Sequence, residues 1–360
     1  MAYTTIDNPE LYFQSALWTG NDSARDITLG GSENMQPDLV VSKKRGSNSD
    51  AGATWSDVTR GATSNLDSST SDPAQTDTDG IDEFQADGFG IAGADRHWNE
   101  GGQTYVAWCW KAGGSGSANT DGSVNSIKTS ANTTSGFSIV DFDLDGESGE
   151  ETVGHGLGVA PDFVIAKTKY DGAGAGIWWV YHKGLTSASY YLSLSGTDAQ
   201  TSETQAWGGD APTSSVFTVG SASGWGTDKA VAYAWHGVKG YSKFGTFTGN
   251  GSLDGTFCWT GFRPSFVIIK CSSHASSNWL LLDNKRSNPF NDATCPDALY
   301  ANDNAAEATA SPWIDLLSNG FKCRGYNEGN TINAAGNTYV YMAWAEAPFV
   351  NSKGVPANAR

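Results

Sequence analysis

Short apolar runs separated by Gly, Asn, Asp and Ser set the rhythm of the chain. Tyr105-Val106-Ala107-Trp108-Cys109-Trp110 is apolar at every position. A run of that length that is apolar on both faces predicts a central strand of a sheet covered on both sides. It recurs as Ala230-Val231-Ala232-Tyr233-Ala234-Trp235 and as Tyr339-Val340-Tyr341-Met342-Ala343-Trp344. A second run, Pro37-Asp38-Leu39-Val40-Val41-Ser42-Lys43, recurs at Pro161 to Lys167 and at Pro264 to Lys270. Proline is tolerated at the first position of a strand, and the β-branched and aromatic residues that follow suit its interior.

Other landmarks keep the same order. Phe13 matches Phe137 and Phe244 at the opening of a strand, and a Trp-led strand at Trp55 matches Trp179 and Trp279. The turn Trp18-Thr19-Gly20-Asn21 matches Phe247-Thr248-Gly249-Asn250. Repetition at this scale points to an array of similar units. The expected fold is all-β: three tandem related β-sandwich or jelly-roll-like modules, with at most short helical turns. The modules fall at 13–112, 137–240 and 241–349. A flexible linker is expected at 113–136, opened by Ala112-Gly113-Gly114-Ser115-Gly116-Ser117. The stretches 1–12 and 350–360 are polar and read as terminal docking segments. Ser311 to Gly320, with Pro312 near its start and Gly320 at its end, reads as one or two helical turns. Ala62 to Asp82 is rich in Ser, Thr and Asp and reads as a long exposed loop.

Composition narrows the class. Charged residues are 17%, aromatics 12%, and Gly 44 of 360 residues. Disordered chains are poor in aromatics and rich in charge, and helical bundles need Leu, Glu, Lys and Ala in quantity. No run approaches the ~18 apolar residues of a membrane helix, so no membrane insertion is expected. The net charge of −17 argues against a nucleic-acid partner, which needs clustered Lys and Arg. The five cysteines show no CxxC pair and read as reduced thiols, Cys109 as a small buried hydrophobe.

Candidate chemistry is sparse. Asp141-Phe142-Asp143-Leu144-Asp145-Gly146 alternates carboxylates ahead of a glycine, as calcium loops do, which makes Asp141, Asp143 and Asp145 the candidate metal ligands and calcium the candidate cation. Position twelve of that stretch is Thr152 and not the bidentate Glu of an EF-hand. Otherwise no cofactor is expected. The five histidines lack zinc spacing and read as surface or satisfied interior residues. The glycine patterns near Gly154 and Gly172 lack the strand–turn–helix order of a nucleotide site, and no GxSxG elbow is present. The repeated aromatics read as core. Trp98, Trp207, Trp225 and Trp313 do not repeat and become the candidates for stacking on a glycan.

The chain resembles a family of virion proteins from tailed phages, marine phages and cyanophages in particular. The resemblance runs from Tyr105 to Ala112 and Asn119-Thr120-Asp121-Gly122-Ser123 through Val153 to Gly158 and Gly240 to Gly245. It continues over Trp259 to Pro264 and closes on Ala345-Glu346-Ala347-Pro348-Phe349. It implies a non-enzymatic structural component, a tail fibre, spike or surface appendage contributing to host attachment, assembled in the host bacterial cytoplasm and resident in the virion. The implied partners are other virion proteins and a host surface glycan, and a homotrimer is one expected state. The alternatives are a carbohydrate-binding, lectin-like module, a head decoration protein and, last, a polysaccharide depolymerase.

Overall fold

The computed structural model describes residues 3–46, 51–144, 149–169, 176–220, 225, 229–286, 297–308, 313–325 and 331–356. It is all-β, with several separate antiparallel sheets. Three large sheets share one strand order: opening strand, last strand, second, third, fourth. In the first unit these are Phe13–Thr19, Thr104–Trp110, Leu39–Lys44, Thr54–Asp57 and Gly61–Asp67. In the second they are Phe137–Asp143, Lys229–Trp235, Phe163–Thr168, Trp178–His182 and Tyr190–Ser193. In the third they are Ser242–Thr248, Thr338–Pro348, Phe262–Cys271, Leu280–Asp283 and Leu299–Tyr300. Each large sheet has a smaller companion, built on Gly88–Ile91, Val216–Val219 and Gly320–Cys323 respectively.

The apolar run in the middle of each large sheet is apolar on both faces because both faces are covered. Val106, Trp108 and Trp110 point into one core, while Tyr105, Ala107 and Cys109 point into another. The second face of each sheet packs on its own companion sheet, giving three separate inner cores. The first faces of all three sheets meet in a single shared core. At its centre Trp110, Trp235 and Trp344 form a triangle of edge-to-face contacts, with centroids 6.1, 5.3 and 6.0 Å apart. That geometry sets the electropositive edge of one ring against the electron-rich face of the next, worth about 0.5–1.5 kcal/mol per pair beyond burial. Phe13, Phe163 and Phe266 stack around the triangle.

Polar belts hold the units to one another. Lys43, Lys167 and Lys270 occupy the same strand position, and all three are buried. Lys43 Nζ donates to the Ala51 carbonyl of its own unit and to the Asp303 carbonyl of the third. Lys167 donates to Gly176 and, in the first unit, to Ser71. Lys270 donates to Ser277 and, in the second unit, to Thr197. The three cross-unit bonds close a ring. Each lysine is a buried clamp satisfied by carbonyls, the condition for burying an ammonium.

Several expectations are corrected. Within 113–136, Ser126–Asn132 is a strand that pairs with Phe137–Asp143, so this stretch is the edge of the second unit's sheet and not a flexible linker. The helix expected at Ser311–Gly320, whose first two residues lie outside the described ones, is instead a hairpin. Ile314–Leu317 pairs with Gly320–Cys323 around Ser318-Asn319, because burial of Ile314 and Leu316 follows the period of a strand. Ala62–Asp82 is not one exposed loop: Gly61–Asp67, Gln75–Thr76 and the start of Ile81–Gln85 are strands, and Leu66 and Asn65 are buried. Of the expected docking segment 1–12, the described residues 3–12 are not a free arm: Ile6 is part of the shared core, and Tyr3 donates to the Gly261 carbonyl at 2.8 Å. Asp7 bonds Ser352, which brings the two terminal segments together. Register pairs Leu280 with Ile269, Trp178 with Lys167 and Thr54 with Ser42, so the strand matches through Ala53, Trp178 and Trp279, not through Trp55 and Trp179. By the same register Phe13 and Phe137 match Ser242. Phe244 lies two residues further on, opposite Met342, where the first unit sets the small Ser15 opposite Trp108.

Candidate functional site

The third strand of each large sheet shows where the units diverge. Its inward positions facing the companion sheet are Thr54 and Ser56 in the first unit, Trp179 and Tyr181 in the second, and Leu280 and Leu282 in the third. On the neighbouring strand the matching residues are Asn65, Tyr191 and Ala298. In the second unit this space is filled by Trp179, stacked on Trp225 at 5.5 Å and tilted against Tyr191 at 4.6 Å. In the third it is filled by Leu280 and Leu282, in one cluster with Trp313. In the first unit the residues are small and polar: Thr54 and Asn65 line an open cleft of about 580 Å³, and Ser56 is fully buried beside them.

Carboxylates line that cleft. Asp67 and Asp72 come from the end of the fourth strand and the turn after it, Asp77 and Asp79 from the next turn, and Asp95 from the loop before Trp98. His97 sits between two of them, its Nδ1 3.2 Å from Asp95 and its Nε2 3.9 Å from Asp67. A hydrogen-bonded chain leads from the sheet to the cleft: Ser56 Oγ donates to Asn65, and Asn65 Nδ2 donates to Asp77 Oδ2 at 2.9 Å. Burial, and after it the charge of Asp95, hold the Asp77 carboxyl above its usual range against the pull of the Asp79 and Gly80 N–H groups. Asp95 moves the other way: burial acts to raise it, but the hydrogen bond and charge of His97 override burial and lower it. Thr54 lines the cleft at 2% exposure, and its Oγ1 has no hydrogen-bond partner among the described residues.

The residues singled out from the sequence lie elsewhere. Asp141 lies within the strand Phe137–Asp143 and is ion-paired with Lys169, while Asp143 faces Lys229 at 3.8 Å. A strand spreads alternate carboxylates along one face and does not wrap them around an ion, and here two lysines occupy them. Asp145 lies outside the described residues. Among the described residues, no group of three His, Cys, Asp or Glu is placed to hold a metal. Trp98, Trp207, Trp225 and Trp313 are all buried, at 0, 2, 2 and 5% exposure, so none presents a face to a glycan. They fill the inner cores: each sandwich is closed by aromatic residues from loops that differ between units. Of the fourteen tryptophans only Trp259 is exposed, with Lys243 4.5 Å above its ring.

Of the other histidines, His155 and His182 are satisfied interior residues. His155 Nδ1 accepts from the Leu157 N–H, and burial pushes its imidazole down. His182 Nδ1 accepts from the Gly184 N–H at 2.9 Å, and burial pushes this ring to about 4. Cys109, Cys258, Cys271 and Cys323 are free and buried, and Cys295 lies outside the described residues.

The first unit's cleft escaped the sequence reading. Its signal is the pair Thr54 and Ser56, visible once Ala53 is aligned with Trp178 and Trp279.

Residues 8–348 match the family described as Domain of unknown function (DUF7483). The chain belongs to this family. Among curated proteins, none matches it.

Proposed function

We propose that this DUF7483 chain is a non-enzymatic structural component of a tailed-phage virion, a rigid appendage such as a tail fibre or spike that contributes to host attachment. The observation that carries the reading is the ring itself. Three sheets close on one aromatic core and are tied pairwise by buried lysines, which suits a part that must persist outside a cell. The sequence resemblance to virion proteins supports the same reading. Its partners are then other virion proteins and a host surface glycan. Because three units in one chain already form a ring, a single chain can seat on a threefold axis of a particle as well as a homotrimer can.

Immunogold labelling of intact particles with an antibody to the folded chain tests this. Gold on the tail or its fibres is the expected result. Gold on the head would move the protein to a decoration role, and absence of the chain from purified particles would overturn the proposal. Release of sugar from host envelope by the purified chain would overturn its non-enzymatic part.

A further inference from the structure

We propose that the cleft of the first unit is a binding site for a small ligand bearing a protonated primary amine. The units act as controls for one another. The position held by Trp179 in the second unit and by Leu280 in the third is held by the small, polar Thr54 here, and Thr54 lines a cleft at the margin of the first unit's inner core. Giving up such packing costs about 1–3 kcal/mol for each large side chain lost, so the opening calls for a compensating use.

The chemistry follows from the lining. Asp67, Asp72, Asp77, Asp79 and Asp95 outnumber Arg96 and His97, so the cleft attracts cations and repels phosphates and other anions. A divalent metal would need several oxygens converging at about 2.3–2.6 Å, and no such group exists among the described residues. An ammonium group is less demanding: its three donors accept oxygens spread around it at ordinary hydrogen-bond distances. No Trp, Tyr or Phe lines the cleft, so a neutral sugar would lack the ring face on which it usually stacks. The Thr54 hydroxyl, buried and without a partner among the described residues, supplies a second recognition point at the sheet. A volume of about 580 Å³ suits a ligand of metabolite size. Amino sugars and polyamines both carry the required group, and the inference is independent of where the protein sits in a particle.

Isothermal titration of the full chain with glucosamine and with spermidine tests it, with glucose, N-acetylglucosamine and calcium chloride as comparisons. The expected result is saturable binding of at least one amine, with Kd on the order of 0.1–1 mM and weaker at higher salt. Glucosamine alone would identify an amino-sugar source, and spermidine alone a polyamine. Asp72 and Asp79 accept no side-chain hydrogen bond from the described residues that the fold depends on, so Asp72→Asn with Asp79→Asn should weaken binding about tenfold at an unchanged melting temperature. Thr54→Val should weaken it severalfold. Silence of both amines at about 10 mM, equal binding of glucose, binding of calcium with displacement of the amine, or unchanged affinity in the Asp variants would each overturn the proposal.

Discussion

The junctions between units offer the sharpest test of how the ring is held. Asp57 and Arg60 form a fully buried pair at 2.6 Å, and the hydroxyl of Tyr233, from the second unit, donates to Asp57 at 2.8 Å and accepts from Arg60 at 3.2 Å. Asp283 and Arg286 repeat the pair at the next junction, where Trp108 of the first unit donates to Asp283 at 3.1 Å. The residue matching Tyr233 and Trp108 in the third unit is Met342, which has no N–H or O–H to give. It faces His182 and Leu185, which stand where the other units have Asp and Arg. His182 turns its Nε2 to the Tyr341 carbonyl at 3.4 Å. Tyr233→Phe therefore strips two hydrogen bonds from a buried ion pair. At about 1.5–3 kcal/mol for a bond to a charged group, the longer one at the low end, the loss is about 3–4.5 kcal/mol. An unfolding entropy near 2.1 cal/mol/K per residue converts this to a melting temperature about 4–6 °C lower for a chain of 360 residues. Urea denaturation followed by tryptophan fluorescence, with calorimetry, measures both quantities. The triple variant Asp57→His, Arg60→Leu, Tyr233→Met transplants the third junction and should return to within about 1 kcal/mol of the parent, because a buried ion pair is commonly exchangeable for packed apolar residues. A Tyr233→Phe change below about 0.5 kcal/mol, or a triple variant less stable than the single one, would refute the reasoning.

Three further outcomes are expected. Burial lowers Lys43 and Lys270 to about 8. Between about pH 8 and 10.5 the unfolded chain then binds more protons than the folded one, so these lysines make stability rise with pH across that window. The stability of the parent minus that of Lys270→Met, followed by urea denaturation at pH 7 to 10, should grow by about 1–3 kcal/mol; a flat or falling difference would contradict the burial argument. Ile6→Ala should cost about 2–4 kcal/mol because Ile6 belongs to the shared core, whereas a docking arm would tolerate it without change in melting. Thr54→Leu puts the third unit's residue at the floor of the cleft; it should abolish amine binding in the titration while the chain still melts in one cooperative transition.

What could be read from the sequence was what depends on short-range pattern. The runs ending at Trp110, Trp235 and Trp344 showed strands buried on both faces, because no polar position interrupts them. Ser311–Gly320 misled because proline and glycine punctuate hairpins as well as helices, and only the alternate burial of Ile314 and Leu316 separates the two. The unrepeated tryptophans misled for a different reason. Repetition reports the shared core, to which each unit contributes equivalent rings, but each inner core is closed by loops of its own, so Trp98 and Trp207 are buried without being repeated. The cleft was hidden by a shift in alignment. Matching Trp55 to Trp179 placed a large residue where the first unit has Thr54, and the substitution of core by small polar side chains vanished from view.

The ring also poses a problem of specificity that apolar packing cannot solve alone. Three sheets presenting similar Trp and Phe rings to one core could associate in either cyclic order, or with units from a second chain. The buried polar groups differ between junctions where the rings do not. Asp57 and Arg60 require a hydroxyl from the unit they face, Asp283 and Arg286 find an indole N–H, and His182 with Leu185 tolerates a thioether. In the wrong order, Asp57 or Asp283 would be buried against Met342 with one donor fewer, at a cost of about 1–3 kcal/mol or more for a charged group. A buried polar contact of this kind adds little net stability when satisfied, yet penalises each mispairing by its full desolvation cost. On this argument the aromatic triangle makes the ring stable, and the three unlike junctions determine which unit stands beside which.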